Sequence, residues 1–318
     1  MFKVVLTDYE FDTLEYEERV FTESGLEISF IKAQCRTEDE VIEAAKDADA
    51  IINQYAPLSE RVLRSLTSCK VISRYGVGVD TIDLAAAKEL GIKVCNVPDY
   101  GIEEVSNHTL ALLMAWSRKI VELNNAVKNG VWDFSVGKPI YRFENRVFAI
   151  FGFGRIPRRV IEKVKPLGFT LVGYDPFVSE EVMANYGVRK VELEEALKIG
   201  DILSFHVPLV EETRHLINKE TLKSLKDGVF IINTARGPII ETAALIEGLK
   251  TKKIAGAALD VVEHEPVQAD HELLTFNNVY ITPHSAFYSV EAIEELRTKT
   301  TKNVVDVLAG QKPVYVVV

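Results

Sequence analysis

The stretch FAIFGFGRIPRRV, residues 148–160, decides the fold of this chain. A short apolar run from Phe148 to Phe151 predicts a buried strand, which leads through Gly152 and Gly154 into a helical pattern. In dinucleotide-binding units of this form, the first glycine makes the strand-to-helix turn and the second lets the backbone approach a pyrophosphate. A bare G-x-G also fits a plain tight turn, so the prediction depends on the whole unit.

Two further positions bear on this unit. An acidic residue about 20 positions after the first glycine binds the adenosine ribose, and Asp175 at the end of TLVGYD fits that spacing. Its carboxylate favours NAD, because it would repel the additional phosphate of NADP. Pro157 stands where a third glycine is usual, but the first turn of a helix tolerates proline. The amides of Arg155 and Ile156 remain for phosphate, so we expect a slightly displaced helix start and weaker cofactor binding, but not loss of the NAD site.

Strand patterns alternate with amphipathic segments along the chain, which is typical of βα units around parallel sheets. The first series of predicted strands is Val4–Thr7, Ile28–Ile31, Ala50–Asn53, Val71–Ser73 and Lys93–Val97. The second series is Phe148–Phe151, Thr170–Tyr174, Ile202–Phe205, Val229–Asn233, Ala255–Asp260 and Val279–Thr282. One long helical pattern, IEEVSNHTLALLMAWSRKIVELNNAV, separates the two series, and a last helical segment follows the second.

This pattern predicts an α/β protein of two doubly wound parallel-sheet lobes. A flavodoxin-like substrate (catalytic) domain is expected at residues 1–99 plus 289–318, because the last helix is expected to return to the first lobe. A Rossmann NAD-binding domain is expected at residues 100–288.

Composition excludes several classes of function. The 318 residues are 47% hydrophobic and 26% charged, which is ordinary for a globular protein with two cores. A net charge of −10 without a Lys/Arg-rich run argues against binding to nucleic acid or anionic lipid. The apolar runs are too short for a bilayer, and MFKVVLTDYE predicts a strand rather than a signal peptide. Cys35, Cys69 and Cys95 form no metal or redox pattern. We expect a cytoplasmic protein without a metal site.

Three polar residues follow strands of the second series, where ligands of parallel sheets bind: Arg236, Glu265 and His284. Oxidation of an alcohol needs a base for the hydroxyl proton, and histidine suits that role near neutral pH. A carboxylate partner would orient the ring, and an arginine would bind a substrate carboxylate through two hydrogen bonds. His206 also ends a strand and His264 adjoins Glu265, so position alone does not select the histidine. Glu265 could also be a turn residue and Arg236 a surface charge.

Eight stretches in order give the chain a resemblance to the D-isomer-specific 2-hydroxyacid dehydrogenase family: RYGVGVDTIDL, GIKVCNVP, FGFGRI, GYDP, HVPL, INTARG, LDVVEHEP and TPHSAF. The resemblance covers nearly the whole chain. It implies that Arg236, Glu265 and His284 are catalytic and that the amides of Val77 and Gly78 bind the substrate carboxylate. With the fingerprint, it implies an NAD site lined by Gly152, Gly154, Arg155, Ile156, Asp175, His206, Val207, Pro208, Thr213, Thr234, Ala235, Asp260 and His284. Family members are usually homodimers joined through the cofactor-binding lobe.

Departures from the family pattern narrow the substrate. The loop NQYAPL, residues 53–58, lacks the basic residues of relatives that act on phosphoglycerate, and Val77 replaces the lysine of phosphite-oxidising relatives. CNVP and PHSAFYS lean towards the C-terminal-binding protein corepressors, in which a tryptophan stands at the position of Phe287; here Phe287 predicts an apolar wall for a medium-sized 2-oxo acid. We therefore predict an NAD-dependent enzyme that interconverts a D-2-hydroxy acid and its 2-oxo acid. The alternative is an NAD(H)-sensing, corepressor-like binding protein.

Overall fold

The computed structural model describes all residues, 1–318, and the chain divides into two compact units. One unit comprises Met1–Gly101 and Tyr288–Val318, and the other comprises Ile102–Phe287. These boundaries differ by one or two residues from those expected from the sequence. The assignment of substrate binding to the first unit stays a prediction.

The first unit is built on a five-stranded sheet. Its strands are β1 (Phe2–Leu6), β2 (Ile28–Lys32), β3 (Ala50–Asn53), β4 (Val71–Arg74) and β5 (Lys93–Cys95). Its first helices are α1 (Glu15–Ser24), α2 (Glu38–Ala45), α3 (Glu60–Ser65) and α4 (Leu84–Glu89). All pairings are parallel in the order β2-β1-β3-β4-β5, which is the flavodoxin-like order. The central strands are fully buried at Val5, Ile51 and Ile72, as expected of a sheet covered on both faces.

The second unit contains a seven-stranded parallel sheet. Its strands are β6 (Val147–Phe151), β7 (Thr170–Tyr174), β8 (Arg189–Lys190), β9 (Ile202–Phe205), β10 (Val229–Asn233), β11 (Ile254–Leu259) and β12 (Val279–Ile281). Its helices are α5 (Ile102–Ser117), α6 (Ile120–Lys128), α7 (Arg155–Val164), α8 (Glu180–Asn185), α9 (Leu193–Ile199), α10 (Lys219–Ser224) and α11 (Thr242–Lys250). The strand order is β12-β11-β10-β9-β6-β7-β8. The six strands from β11 to β8 have the Rossmann order, and β12 is an additional strand at one edge. The predicted fold class is confirmed.

The last helix, α12 (Val290–Leu308), returns to the first unit and packs against α1, β3 and β4. It buries polar residues as well as apolar ones, among them Arg297 and Asn303. Neither α12 nor any other helix combines the length and the apolarity that crossing a membrane requires.

Two features of the second unit differ from the predicted pattern. The edge strand β8 was not predicted, because two residues are too few to show alternation. The long helical pattern is two helices, since Lys119 between α5 and α6 has a left-handed backbone at φ 54° and ends the first. Leucine and valine spacing continues through this break, so periodicity alone does not reveal it.

The expected displacement at Pro157 is absent. Helix α7 begins at Arg155, directly after Gly154, and Pro157 is buried in its first turn. A proline at this position sacrifices no intrahelical hydrogen bond, because the amides of the first turn have no acceptor within the helix. Ile156 is helical despite the bias that a following proline imposes, and Val160, Ile161 and Val164 of the same helix are buried.

Candidate active site

The glycine turn lies between β6 and β9, at the switch point of the second sheet. Gly152 has φ +90°, and a Cβ added there would lie 2.7 Å from the carbonyl oxygen of His206. The amide of His206 in turn donates to Phe151 O at 2.8 Å. Only glycine fits this backbone conformation and this close approach. A Cβ on Gly154 would meet nothing within 4 Å, which leaves open space where a pyrophosphate approaches.

The residues around this turn fit a dinucleotide. The carboxylate of Asp175 accepts hydrogen bonds from the amides of Phe153 and Phe177, both at 2.8 Å, and thereby lies against the fingerprint turn. The amides of Gly154 and Ile156 have no acceptor within the chain. Donors at a helix N-terminus are suited to phosphate groups. The donor set and the open space thus match what NAD requires.

His284 and Glu265 form a direct pair. Nδ1 of His284 and Oε2 of Glu265 are 2.8 Å apart, and Oε1 of Glu265 accepts from the Val262 amide at 3.1 Å. Burial of Glu265 opposes its ionisation. The hydrogen bond to His284, the charge of that ring, the Val262 amide and the charge of Arg236 outweigh burial and hold the pKa of Glu265 below its usual value. Arg236 therefore acts electrostatically on the same carboxylate that orients the histidine.

Arg236 is positioned by two residues that sequence reasoning missed. The side chain of Asn233 donates to Arg236 O at 2.8 Å and accepts from the Ala235 amide at 3.0 Å, which fixes the turn after β10. A Cβ on Gly237 would lie 1.8 Å from Val262 O, so glycine is required where this turn meets the segment that carries Glu265. The motif INTARG contains both residues, but their contacts with distant segments cannot be inferred from it.

Asp260 holds the loop that carries His284. It is 2% exposed, and its carboxylate accepts from the Thr282 hydroxyl at 2.6 Å and from the amides of Ser285 and Ala286 at 2.9 Å. Its carbonyl accepts from the His284 amide at 2.8 Å. These bonds keep His284 at φ 51°, a left-handed conformation that costs a non-glycine residue about 1–3 kcal/mol. Both carboxylate oxygens of Asp260 thus have partners within the chain.

Position in the sequence did not decide which of His206, His264 and His284 is the acid–base residue. The surroundings of the three side chains distinguish them. Nε2 of His206 lies 2.8 Å from Ser204 Oγ, and burial lowers the pKa of His206 to about 3. His206 is therefore neutral at pH 7 and cannot cycle through a charged form. His264 is exposed. His284 alone among these three pairs with a carboxylate.

Two predicted threonines have partners inside the second unit. The Thr213 hydroxyl donates to Pro208 O at 2.6 Å and accepts from the Val210 amide at 2.9 Å, which closes the loop after β9. The Thr234 hydroxyl lies 3.0 Å from that of Thr109 on α5. Neither threonine hydroxyl hydrogen-bonds to the glycine turn or to His284. Val207, by contrast, packs against the turn at Gly152.

Val77 and Gly78 lie in the first unit, in the loop after β4. The carbonyl of Gly76 accepts from the Val97 amide at 3.0 Å, and that of Val77 accepts from Asn96 Nδ2 at 2.7 Å. The amides of Val77 and Gly78 have no acceptor within the chain. Phe287, the last residue of the second unit, is partly buried.

A cation that sequence reasoning missed adjoins the loop at residues 53–58. Arg74 Nε donates to Gln54 O at 3.2 Å, and the guanidinium carbon lies 5.8 Å from the centre of the Tyr55 ring. The loop itself contains no basic residue, but this neighbour from β4 supplies a positive charge beside it. No short motif indicates this contact, because the two segments are brought together by the pairing of β3 with β4.

The Rossmann order of the second sheet and the glycine turn at its switch point define an α/β protein of the dinucleotide-binding class, and comparisons with known proteins give its family. Residues 110–286 match the NAD-binding domain of the D-isomer-specific 2-hydroxyacid dehydrogenases. Glyoxylate reductase of Korarchaeum cryptofilum is 35% identical over 280 residues, covering 86% of this chain and 83% of that protein. D-3-phosphoglycerate dehydrogenase of Methanocaldococcus jannaschii is 38% identical over 277 residues, covering 86% of this chain. The chain spans about half of that protein's length, 52%.

Solved structures agree with this relationship. D-lactate dehydrogenase of Aquifex aeolicus, in complex with NAD and lactic acid, superposes with a TM-score of 0.85 at 29% identity over 96% of each chain. The holo form of Rhodotorula graminis D-mandelate dehydrogenase gives a TM-score of 0.88 at 29% identity, covering 99% of this chain and 97% of that one. The chain belongs to the D-isomer-specific 2-hydroxyacid dehydrogenase family, and residues 110–286 are its NAD-binding domain. The leaning towards the corepressor branch stays a prediction.

Proposed function

We propose that this protein is an NAD-dependent oxidoreductase that interconverts a D-2-hydroxy acid and its 2-oxo acid. The observation that carries the proposal is the 2.8 Å pair of His284 and Glu265, with the charge of Arg236 acting on the same carboxylate. Relatives at 32–38% identity are named as dehydrogenases or reductases of such acids, which supports the same activity here.

In this proposal His284 is the acid and base of the reaction. The cofactor, when bound, supplies or accepts the hydride at the carbon that bears the oxygen. Nδ1 of His284 is paired with Glu265, so Nε2 is the ring nitrogen that exchanges a proton with the substrate in this proposal. In reduction Nε2 donates a proton to the carbonyl oxygen, and in oxidation it accepts the hydroxyl proton. Glu265 orients the ring through its bond to Nδ1.

The substrate carboxylate is assigned to Arg236 and to the amides of Val77 and Gly78. A guanidinium binds a carboxylate through two parallel hydrogen bonds, and two adjacent amides without internal acceptors suit the same anion. Phe287 follows His284 by three residues and is proposed to contact the substrate side chain.

The substrate is proposed only as a class. The relatives carry the names of phosphoglycerate, glyoxylate and hydroxypyruvate enzymes at similar identity, so likeness does not choose among them. Loop 53–58 argues against a phosphorylated acid, whereas Arg74 beside that loop favours one. A phosphorylated acid therefore belongs among the substrates to be tested.

A homodimer joined through the NAD-binding unit is also proposed. Helix α6 has no buried residue, and residues 120–141, here named the apolar arm, expose Trp132 at 89% and Phe134 at 77%. The other large apolar side chains exposed on the arm are Ile120, Val121, Val127, Val131, Val136, Ile140 and Tyr141. Many exposed large apolar side chains within one segment of a chain are typical of a protein–protein contact.

The activity is tested with a panel of 2-oxo acids of graded side-chain size, a phosphorylated one included, with NADH and NADPH side by side. We expect oxidation of NADH with at least one acid and a preference for NADH over NADPH, because the Asp175 carboxylate, proposed to bind the adenosine ribose, would repel the additional phosphate of NADPH. Binding of NADH without turnover of any acid would favour the NAD(H)-sensing alternative.

A further inference from the structure

The first unit contains a buried ion pair that the proposed mechanism does not use. Glu17 on α1 and Arg297 on α12 are 0% and 3% exposed. Arg297 donates from Nε and Nη2 to the two carboxylate oxygens, at 2.8 and 2.6 Å. Its guanidinium also lies 4.6 and 4.7 Å from the rings of Phe11 and Tyr16. Desolvation of two charges offsets much of their attraction, so stability alone does not explain such a pair.

Tyr75 connects the ion pair to the loop after β4. The side chain is 3% exposed, and its hydroxyl donates to Glu17 Oε1 at 2.6 Å. Burial, with the charge of Glu17, raises the pKa of Tyr75 well above its ordinary value, so the phenol remains a donor. The Tyr75 amide donates to Asn53 O at 2.8 Å. Backbone and side chain of this residue are therefore both fixed, immediately before the loop that contains Val77.

Helix α12 also holds the loop after β4, by a chain of hydrogen bonds that ends on a carbonyl group of that loop. Asn303 Nδ2 donates to Asn96 O at 3.2 Å, and Asn96 Nδ2 donates to Val77 O at 2.7 Å. The Gly76 carbonyl is bound by the Val97 amide. In a trans peptide the carbonyl and the following N–H point in opposite directions. Binding the carbonyls of Gly76 and Val77 on one side therefore directs the amides of Val77 and Gly78 to the other.

We propose that Glu17, Arg297 and Tyr75 form a positioning network that presents the amides of Val77 and Gly78 to the carboxylate of the 2-oxo acid. The inference rests on the proposed function. Because the network lies in the first unit and the fingerprint in the second, it acts on affinity for the 2-oxo acid and not on affinity for NADH. None of its three residues touches the reacting atoms.

The test is the kinetics of Tyr75→Phe, which removes one hydroxyl and leaves both bonds of the ion pair. With a 2-oxo acid that the wild-type protein reduces, we expect KM for the acid to rise by about fivefold or more, because a loop that has lost one of its fixing hydrogen bonds must be ordered when the carboxylate binds. The kcat should stay within about twofold, and KM for NADH should not change. A purely structural role would lower the melting temperature without this selective effect on one substrate.

Two further variants make the result decisive. Tyr280→Phe is the matched control, because it removes a tyrosine–glutamate bond, to Glu122, in the other unit; KM for the acid should not change. Arg297→Lys keeps the charge but loses the paired geometry, and should raise KM for the acid as Tyr75→Phe does. An active wild type with unchanged KM in both network variants overturns this inference alone. A wild type inactive towards every acid rejects the proposed function and the inference with it.

Discussion

His284 has a backbone conformation that a residue with a Cβ rarely adopts. Its φ of 51° is maintained by hydrogen bonds that Asp260 accepts from the Thr282 hydroxyl, from the Ser285 amide and from the amide of His284 itself. Strain of this kind persists where the surrounding structure enforces it and is common at functional sites. Asp260 is buried and both of its carboxylate oxygens accept hydrogen bonds, so it fixes the backbone around His284. Glu265 orients the imidazole ring through Nδ1.

Replacement of His284 by alanine tests the acid–base role. We expect kcat for 2-oxo acid reduction to fall by about 10²- to 10⁴-fold, the range typical of removing a general acid, with binding of NADH retained. Steady-state kinetics and a fluorescence titration with NADH measure the two effects. His264→Ala is the matched control, since His264 is exposed and adjoins Glu265, and it should change kcat by less than about twofold. Near-normal turnover by His284→Ala would reject the assignment.

The lowered pKa of Glu265 predicts the acid side of the pH profile. A carboxyl whose pKa lies below its usual value stays ionised as pH falls, so its pair with His284 persists until pH passes below about 4.3, the ordinary value for glutamate. Reductive kcat/KM should therefore decline only below that pH, and Glu265→Gln should remove this decline while lowering kcat. Return of each sample to neutral pH separates titration from unfolding. A decline that begins well above pH 5, or one that Glu265→Gln leaves unaltered, contradicts the prediction.

At the scale of elements, helix α7 accommodates Pro157 beside the glycine turn of the NAD site. Pro157 lies within the first turn, where no hydrogen bond is lost, and the helix begins directly after Gly154. Pro157→Gly, the residue usual in the family, should change the dissociation constant for NADH by less than about threefold. It should lower the free energy of unfolding by about 1–2 kcal/mol, because the unfolded chain gains freedom and buried surface is lost.

Gly152→Ala, at the turn that precedes the same helix, should weaken NADH binding, in contrast to Pro157→Gly. A Cβ there would lie 2.7 Å from a backbone oxygen at a φ that favours glycine, so NADH binding should weaken by more than about tenfold. Calorimetric titration with NADH and urea unfolding measure both variants. Tighter binding by more than tenfold in Pro157→Gly would show that the proline does impair the site.

Most elements could be predicted from the sequence because parallel strands buried on both faces are short apolar runs between helical patterns. Strand β9 and strand β10 have the predicted bounds. The break at Lys119 and the two-residue strand β8 lack such a signal. In the site, Arg236, Glu265 and His284 follow strands and could be proposed directly. Asn233, Gly237 and Arg74 could not, because their importance lies in contacts between segments distant in sequence.

At the scale of the whole molecule, the apolar arm predicts self-association. Burial of Trp132 and Phe134 against a second copy would remove large apolar surfaces from water, each contributing about 1.5–3 kcal/mol. The wild-type chain should therefore sediment at twice its own mass, and Trp132→Asp with Phe134→Asp should sediment as a monomer. Phe177→Asp is the control, because Phe177 is 96% exposed but lies outside the arm. A monomeric wild type at micromolar concentration would contradict the proposed dimer.

The proposed activity is transfer of a hydride from NADH to C2 of a 2-oxo acid, which yields the D-2-hydroxy acid. The most direct measurement is reduction of a 2-oxo acid with NADH deuterated at the transferable position, followed by chiral chromatography and mass spectrometry. We expect the D enantiomer with one deuterium on C2, formed about 10²- to 10⁴-fold more slowly by His284→Ala. The L enantiomer, or a hydroxy acid without deuterium, would contradict it.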